Sequence, residues 1–341
     1  MELLRDKLNR PVKDLRISVT DRCNYRCSYC MPFDEYVWVD HRQILSFEEI
    51  TKVASIFVRL GVDKVRITGG EPLVRQDLEV LIEQLSALKS QGLEDICLTT
   101  NGALLAQKAT ALKAAGLDRV NISIDSLNSE KFRQITKRGD LSKVLEGVFA
   151  AKEAGLCPIK INAVIERGVN DDDILGLVEF SRKHGFGIRF IEYMDVGNSN
   201  NWKSEKLVPK KDIIENIAAV YPLREVGRQN GTAPSVDYEF VDGIGDLGVI
   251  ASVTEPFCSS CTRARLTAEG KLVTCLFANT GHDLRSKMRN GCTDDDLTNL
   301  ISAVWRNRTD RYSDERLEAM NSPHGYQAKD HKKIEMIQLG G

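Results

Sequence analysis

A chain of 341 residues with 42% hydrophobic and 28% charged residues has an ordinary globular composition, long enough for one large barrel with an appendage or for two domains. Its formal net charge of −2 argues against a nucleic-acid or membrane-surface partner, so an anionic ligand would need a local cluster of cations. No run approaches 18 apolar residues, and the amino-terminal stretch has no apolar core of signal-peptide length; the expectation is a cytoplasmic protein whose nine cysteines are metal ligands rather than disulfides.

From residue 15 to about 220, short β-rich runs alternate with helical patterns. The strands are expected at 15–20, 64–68, 95–100, 119–125, 159–165 and 187–194. The clearest helix spans 46–60, with Phe47, Ile50, Ala54, Phe57 and Val58 on one face, a capping box from Ser46 and Glu49, and Gly61 as the stop. Another runs over 171–184 and ends at Gly185. This rhythm implies parallel βαβ units, closing partly into a TIM-type barrel or lying open as a doubly wound sheet. Beyond residue 221 come short strands and glycine-rich turns to 280, helices near 283–290 and 294–307, and a polar tail from 308. The expected organisation is a barrel of about six βα units over 10–220 and a carboxy-terminal extension over 221–341.

Strand parity favours the barrel. Leu15 and Ile17 share one face and leave Arg16 and Ser18 on the other; Val65 and Ile67 oppose Arg66 and Thr68; Ile96 and Leu98 oppose Cys97 and Thr99; Val120 and Ile122 oppose Asn121 and Ser123; Ile159 and Ile161 oppose Lys160 and Asn162. A strand covered by helices on both sides would be nearly all apolar. A polar inner face suits a wet cavity holding a polar, anionic ligand. The sixth strand breaks the pattern, because Phe190 shares a face with Glu192, and Arg189 with Ile191.

Cys23, Cys27 and Cys30 form a C-x3-C-x2-C run just after the first strand. Three thiolates on one loop can hold three irons of a [4Fe–4S] cluster and leave one iron open; the competing reading is a zinc knuckle. The spacing resembles the signature of the radical S-adenosylmethionine superfamily, in which the open iron chelates the cofactor. Thr68-Gly69-Gly70-Glu71-Pro72 follows one βα unit later, and its glycines permit a close backbone approach.

Cys258, Cys261 and Cys275 make a second triad, C-x2-C-x13-C. Zinc with His282 as a fourth ligand and a second cluster are equally compatible with this pattern. Arg263 and Arg265 lie two apart between the cysteines, so on a strand both point one way and suit a phosphate or a polar ring.

Together with Leu15–Asn24, Arg66–Leu73, Thr99–Gly102, Asn121–Asp125 and the final Gly-Gly, these motifs closely resemble the GTP 3′,8-cyclase family over residues 10–341. That resemblance implies the first step of molybdenum cofactor biosynthesis, with two [4Fe–4S] clusters and S-adenosylmethionine as cofactors. It implies that hydrogen is taken from C3′ of GTP and that C3′ then bonds C8. It assigns Cys23, Cys27 and Cys30 to the cofactor cluster and Cys258, Cys261 and Cys275 to the second cluster. Tyr29, Gly70, Ser123 and Met194 would contact S-adenosylmethionine. Arg16, Arg66, Thr99, Lys160, Arg263, Ala264 and Arg265 would contact GTP, with Lys64 and Arg189 as further cations. Arg265, Gly340 and Gly341 would serve catalysis. A homodimer that passes its product to a pyranopterin-forming protein is also implied. The rivals are a peptide-modifying radical maturase, which has less use for Arg263 and Arg265, and an electron carrier, which needs no large polar cavity.

Overall fold

The computed structural model describes residues 3–323 and 325–340. Six parallel strands follow chain order: β1 (Asp14–Ser18), β2 (Lys64–Thr68), β3 (Asp95–Thr100), β4 (Arg119–Ser123), β5 (Lys160–Ile165) and β6 (Gly187–Glu192). Between them run helices that include Phe47–Arg59, Leu105–Ala114 and Ile174–His184. Unbroken chain order distinguishes a partial TIM-type barrel from a doubly wound sheet, whose order reverses at a switch point.

The remaining strands are β7 (Leu223–Gly227), β8 (Val236–Phe240), β9 (Asp246–Ile250), β10 (Arg263–Leu266), β11 (Lys271–Val273) and β12 (His282–Asp283). They extend both edges of the same sheet. β10 pairs parallel to β1, and β9 pairs parallel to β6, giving the order β12-β11-β10-β1-β2-β3-β4-β5-β6-β9-β8-β7. Among the described residues β9 and β10 do not pair, so the barrel stays open. One apolar core runs under the whole sheet, from Leu4 to Trp305.

Local chemistry accounts for the helix ends. Ser46 Oγ accepts from Glu49 N, Glu49 Oε2 accepts from Ser46 N, and Gly185 closes the helix Ile174–His184 at φ 74°. The helix Asp294–Arg306 opens on a second capping box, Thr293 with Asp296. The tail departs from its polar reading, because it carries the helices Tyr312–Met320 and Met336–Leu339. The first of these buries Ser313 and Arg316, so no apolar stripe announces it.

The parity holds for five strands. Leu15, Ile17, Val65, Ile67, Ile96, Leu98, Val120, Ile122 and Ile161 are fully buried in the core behind the sheet. The sixth strand resolves by use of its ends. Phe190 packs in the core, whereas Glu192 is recruited at the strand end as a buried staple. Its carboxylate accepts from Lys210 N (2.9 Å), Val253 N (2.8 Å), Thr254 N (3.0 Å) and the Thr254 hydroxyl. Replacing Glu192 by Gln sets an NH2 against these donors. The expected cost is about 1–3 kcal/mol in urea unfolding of anaerobically purified protein.

Candidate active site

β1 and β10 run side by side in the same direction. Cys23, Cys27 and Cys30 lie just beyond the carboxyl end of β1, while Cys258 and Cys261 lie just before the amino end of β10. The two triads therefore sit at opposite ends of the sheet. Cys275 follows β11, which is antiparallel to β10, and so returns to the second end. All six thiols wall a single cavity of about 300 Å³.

The register sets Arg265 opposite Arg16 and Arg16 opposite Arg66, three guanidinium groups abreast on adjacent strands. The Nε atoms of Arg16, Arg66 and Arg265 and the Thr99 hydroxyl are buried without a hydrogen-bond partner. Among the described residues no carboxylate forms an ion pair with Arg16, Arg66, Lys160, Arg263 or Arg265. Burial, then repulsion from Arg66 and Arg265, holds Arg16 well below its ordinary pKa. Burial with Arg263 nearby brings Arg265 down to about 10. Burial with Arg189 and Arg119 nearby brings Lys160 down to about 8. Arg16, Thr99, Arg263 and Arg265 wall the cavity directly; Arg66 and Lys160 share the inner face but do not wall it. Ala264 turns its methyl into the core against Leu15, so a ligand can meet only its backbone. Lys64 instead lies 3.8 Å from Asp95, and Arg189 lies 3.4 Å from Asp237.

At the first end, Tyr29, Gly70, Ser123 and Met194 all wall the cavity. The Tyr29 hydroxyl donates to Asp125 Oδ2 at 2.7 Å, and Val164 N donates to Asp125 Oδ1 at 2.9 Å. Burial raises the Asp125 carboxyl to about 6 and the Glu71 carboxyl to about 7. Glu71 accepts from the Thr100 hydroxyl, Asn101 N and Leu73 N, which joins the loops after β2 and β3. The glycine pair serves the protein backbone first: a Cβ on Gly70 would lie 2.4 Å from Arg22 O, and one on Gly69 would lie 2.8 Å from Thr20 O. Gly70 N donates to Thr20 O at 2.7 Å, which fixes the chain leading into Cys23.

The donor sets fit iron–sulfur clusters. Each end offers three cysteines and leaves one iron of a cubane without a protein ligand. His282, the candidate fourth zinc ligand, is exposed in β12 and does not wall the cavity. Among the described residues no three His, Cys, Asp or Glu side chains converge on a single-ion point. A cubane, which takes one thiolate on each of three irons, does not require them to. Burial pushes Cys23 up to about 11 and Cys30 and Cys275 up to about 12. Cys261 differs: burial opposes its ionisation, yet Arg263 and Arg308 bring it down to about 6. Both guanidinium groups donate to its sulfur at 3.1 Å.

Sequence reasoning missed Arg308 and Arg10. Arg308 also donates to Cys261 O at 2.7 Å and reaches Asp310 and Asp6; Arg10 donates to Cys258 O at 2.7 Å and pairs with Asp6 at 2.6 Å. No motif spacing marks residues so far apart in the chain. Gly340 lies against Thr68 at φ 73°, and a Cβ there would fall 1.9 Å from Thr68 Oγ1. Gly341 lies outside the described residues.

The barrel with a thiol triad on its first loop defines a radical S-adenosylmethionine protein, and the Radical SAM superfamily model matches residues 17–181. The Molybdenum Cofactor Synthesis C model matches residues 186–314. Proteins named GTP 3′,8-cyclase resemble the chain end to end. The one from Acidothermus cellulolyticus is 45% identical over 99% of each chain, and the one from Aquifex aeolicus is 46% identical over 99% of this chain and 100% of its own. A crystal structure of methylornithine synthase is 18% identical, with TM-score 0.49, over 62% of this chain and 63% of that one. The chain belongs to the GTP 3′,8-cyclase family.

Gly70→Ala is expected to lower unfolding stability by about 1–3 kcal/mol through overpacking against Arg22. It is also expected to reduce iron taken up at the Cys23 loop while Cys258, Cys261 and Cys275 still load. Iron analysis alongside denaturation checks both.

Proposed function

We propose that this chain is a radical S-adenosylmethionine enzyme converting GTP to (8S)-3′,8-cyclo-7,8-dihydroguanosine 5′-triphosphate, the first step of molybdenum cofactor biosynthesis. One observation carries the reading: of three arginines abreast with orphaned buried Nε atoms, Arg16 and Arg265 wall, and Arg66 flanks, one cavity that a cysteine triad walls at each end.

In this reading Cys23, Cys27 and Cys30 hold the [4Fe–4S] cluster that binds S-adenosylmethionine, and Tyr29, Gly70, Ser123 and Met194 bound that cofactor. Together the cluster and cofactor supply one-electron abstraction of hydrogen from C3′. Cys258, Cys261 and Cys275 hold the second cluster, beside the guanine. Arg16, Arg66, Lys160, Arg263 and Arg265 answer the triphosphate charge of about −4, which favours bidentate guanidinium contacts. Thr99 Oγ1 supplies an unused hydrogen-bonding group. The protein's work is to hold C3′ near C8 and keep water out, with Gly340 packed against Thr68 of the cavity wall. Residues 10–220 carry the cofactor half and 221–341 the second-cluster half. A homodimer and hand-over to a pyranopterin-forming protein complete the proposal, and sedimentation checks the first. No described helix is long and apolar enough to cross a membrane.

The decisive experiment is anaerobic incubation with S-adenosylmethionine, a strong reductant and GTP deuterated at C3′. Deuterium is expected in 5′-deoxyadenosine, with little or no cyclised product from ATP. Equal transfer from ATP would overturn guanine specificity, and activity on peptides alone would favour the maturase. Reconstituted protein should hold about eight irons, and the combined Ala variant of Cys258, Cys261 and Cys275 about half. Loss of zinc instead of iron would refute the second cluster.

Lys160 gives a pH test. Its pKa is lowered to about 8 without ligand, so above pH 8 it has largely lost its proton. A triphosphate favours the charged form. Binding GTP at pH 8.5 is therefore expected to take up most of one proton at this side chain, and little at pH 6.5. Calorimetry in buffers of different ionisation heat reads the uptake, which Lys160→Met should abolish.

A further inference from the structure

Asp195 does not wall the cavity, yet its neighbours Met194 and Val196 do. Its side chain is fully buried and receives four donors from separate parts of the chain. Arg316 and Tyr312 come from the helix Tyr312–Met320, and Tyr326 and Lys333 come from the tail. The Lys333 ammonium lies 3.1 Å from Asp195 Oδ2 with 1% of its side chain exposed. Two buried cations thus depend on one carboxylate, and the Tyr312 ring lies under both, 5.4 Å from Lys333 and 5.9 Å from Arg316.

Around this point three segments meet. Tyr312 stacks on Phe277 at 4.4 Å, and Phe277, two residues beyond Cys275, walls the cavity. Ile334 N donates to Ala278 O at 2.9 Å, which ties the tail to the same loop. Asn198 grips the Lys333 backbone twice: Nδ2 donates to Lys333 O at 2.6 Å, and Oδ1 accepts from Lys333 N at 2.9 Å. From there the helix Met336–Leu339 leads to Gly340 at Thr68, and Met336 walls the cavity.

We propose that Asp195 is a positioning residue that latches the carboxy-terminal tail, through Lys333, to the loops carrying Met194 and Cys275, and so sets Met336 in the cavity wall and Gly340 against Thr68. In turnover this deepens the cyclase reading and rests on it; the docking itself does not. Loss of Asp195 leaves Lys333 and Arg316 buried without their carboxylate, whereas loss of the Lys333 ammonium removes the tail's charged tie and leaves Asp195 paired with Arg316.

The test compares holoenzymes of wild type, Lys333→Met, Asp195→Asn and, as a control, the exposed Lys332→Met. Lys333→Met keeps the Asp195–Arg316 pair, so it remains informative if Asp195→Asn fails to fold. Amide hydrogen exchange over residues 334–340 is expected to rise on the order of a hundredfold in Lys333→Met, and not in Lys332→Met. Iron should stay near eight per chain. More 5′-deoxyadenosine should form per cyclised product, because the cofactor is cleaved without a well-set substrate. Unchanged exchange in Lys333→Met overturns the latch. Loss of second-cluster iron with the tail still protected also overturns it, since the network would then support the cluster. A released tail with unchanged coupling removes its role in turnover. Should wild type make no cyclised product, the cyclase reading fails, and the exchange result still judges the latch.

Discussion

Like charges set side by side across a sheet repel, and Arg265, Arg16 and Arg66 occupy neighbouring register positions with no acid among the described residues paired to them. Much else in the molecule follows from tolerating that row. The apolar faces of β1, β2 and β10 are buried completely, so the cations cannot escape by turning these strands over. A one-residue slip would exchange Arg16 for Ile17 and put every guanidinium in the core. Asp14, on the same face, is the one nearby acid in β1, and its own pKa is lowered by Arg16, Arg66 and Arg263 even as burial opposes this. The arginine row is therefore electrostatically incomplete by itself, and an anion of high charge would complete it.

One thiol, Cys261, lies in a different field from the other five. At the first end burial dominates, and Cys27 is held well above its ordinary pKa with Asp125 adding to the effect. At the second end Arg263 and Arg308 give Cys261 thiolate character before any metal arrives. N–H donors to a coordinating sulfur withdraw charge from it and tune a cluster's potential. The buried Asp6, Arg10 and Arg308, with half-buried Asp310, brace that end from parts of the chain far apart in sequence.

Much of this was legible in the chain. Alternation along five strands yielded the inner face bearing Arg16, Arg66, Thr99, Ser123 and Lys160 because a period of two is a local property. The Cys23 triad and the Cys258–Cys261 pair were legible because thiols on one loop are close in sequence; Cys275 joins that pair through the antiparallel turn of β10 into β11. The brace at the second triad was not, since Asp6, Arg10 and Arg308 meet only through the fold. Nor was the helix Tyr312–Met320, which buries Arg316 and Ser313 where an apolar residue would have betrayed it. Gly70 was read correctly as a place of close approach, but the backbone filling that space is the protein's own.

The pairing of β1 with β10 has a consequence for how the chain is made. β1 leaves the ribosome about 250 residues ahead of its partner on that edge. Throughout that interval the nascent β1–β6 sheet presents a bare strand edge bearing Arg16, and lacks Arg265 and the entire second triad. Such long-range closure is slow, and an open edge invites mispairing. A message truncated before Arg263 would yield a protein with its first cysteine loop intact and that edge permanently exposed, a species for chaperones and proteases rather than a half-active enzyme.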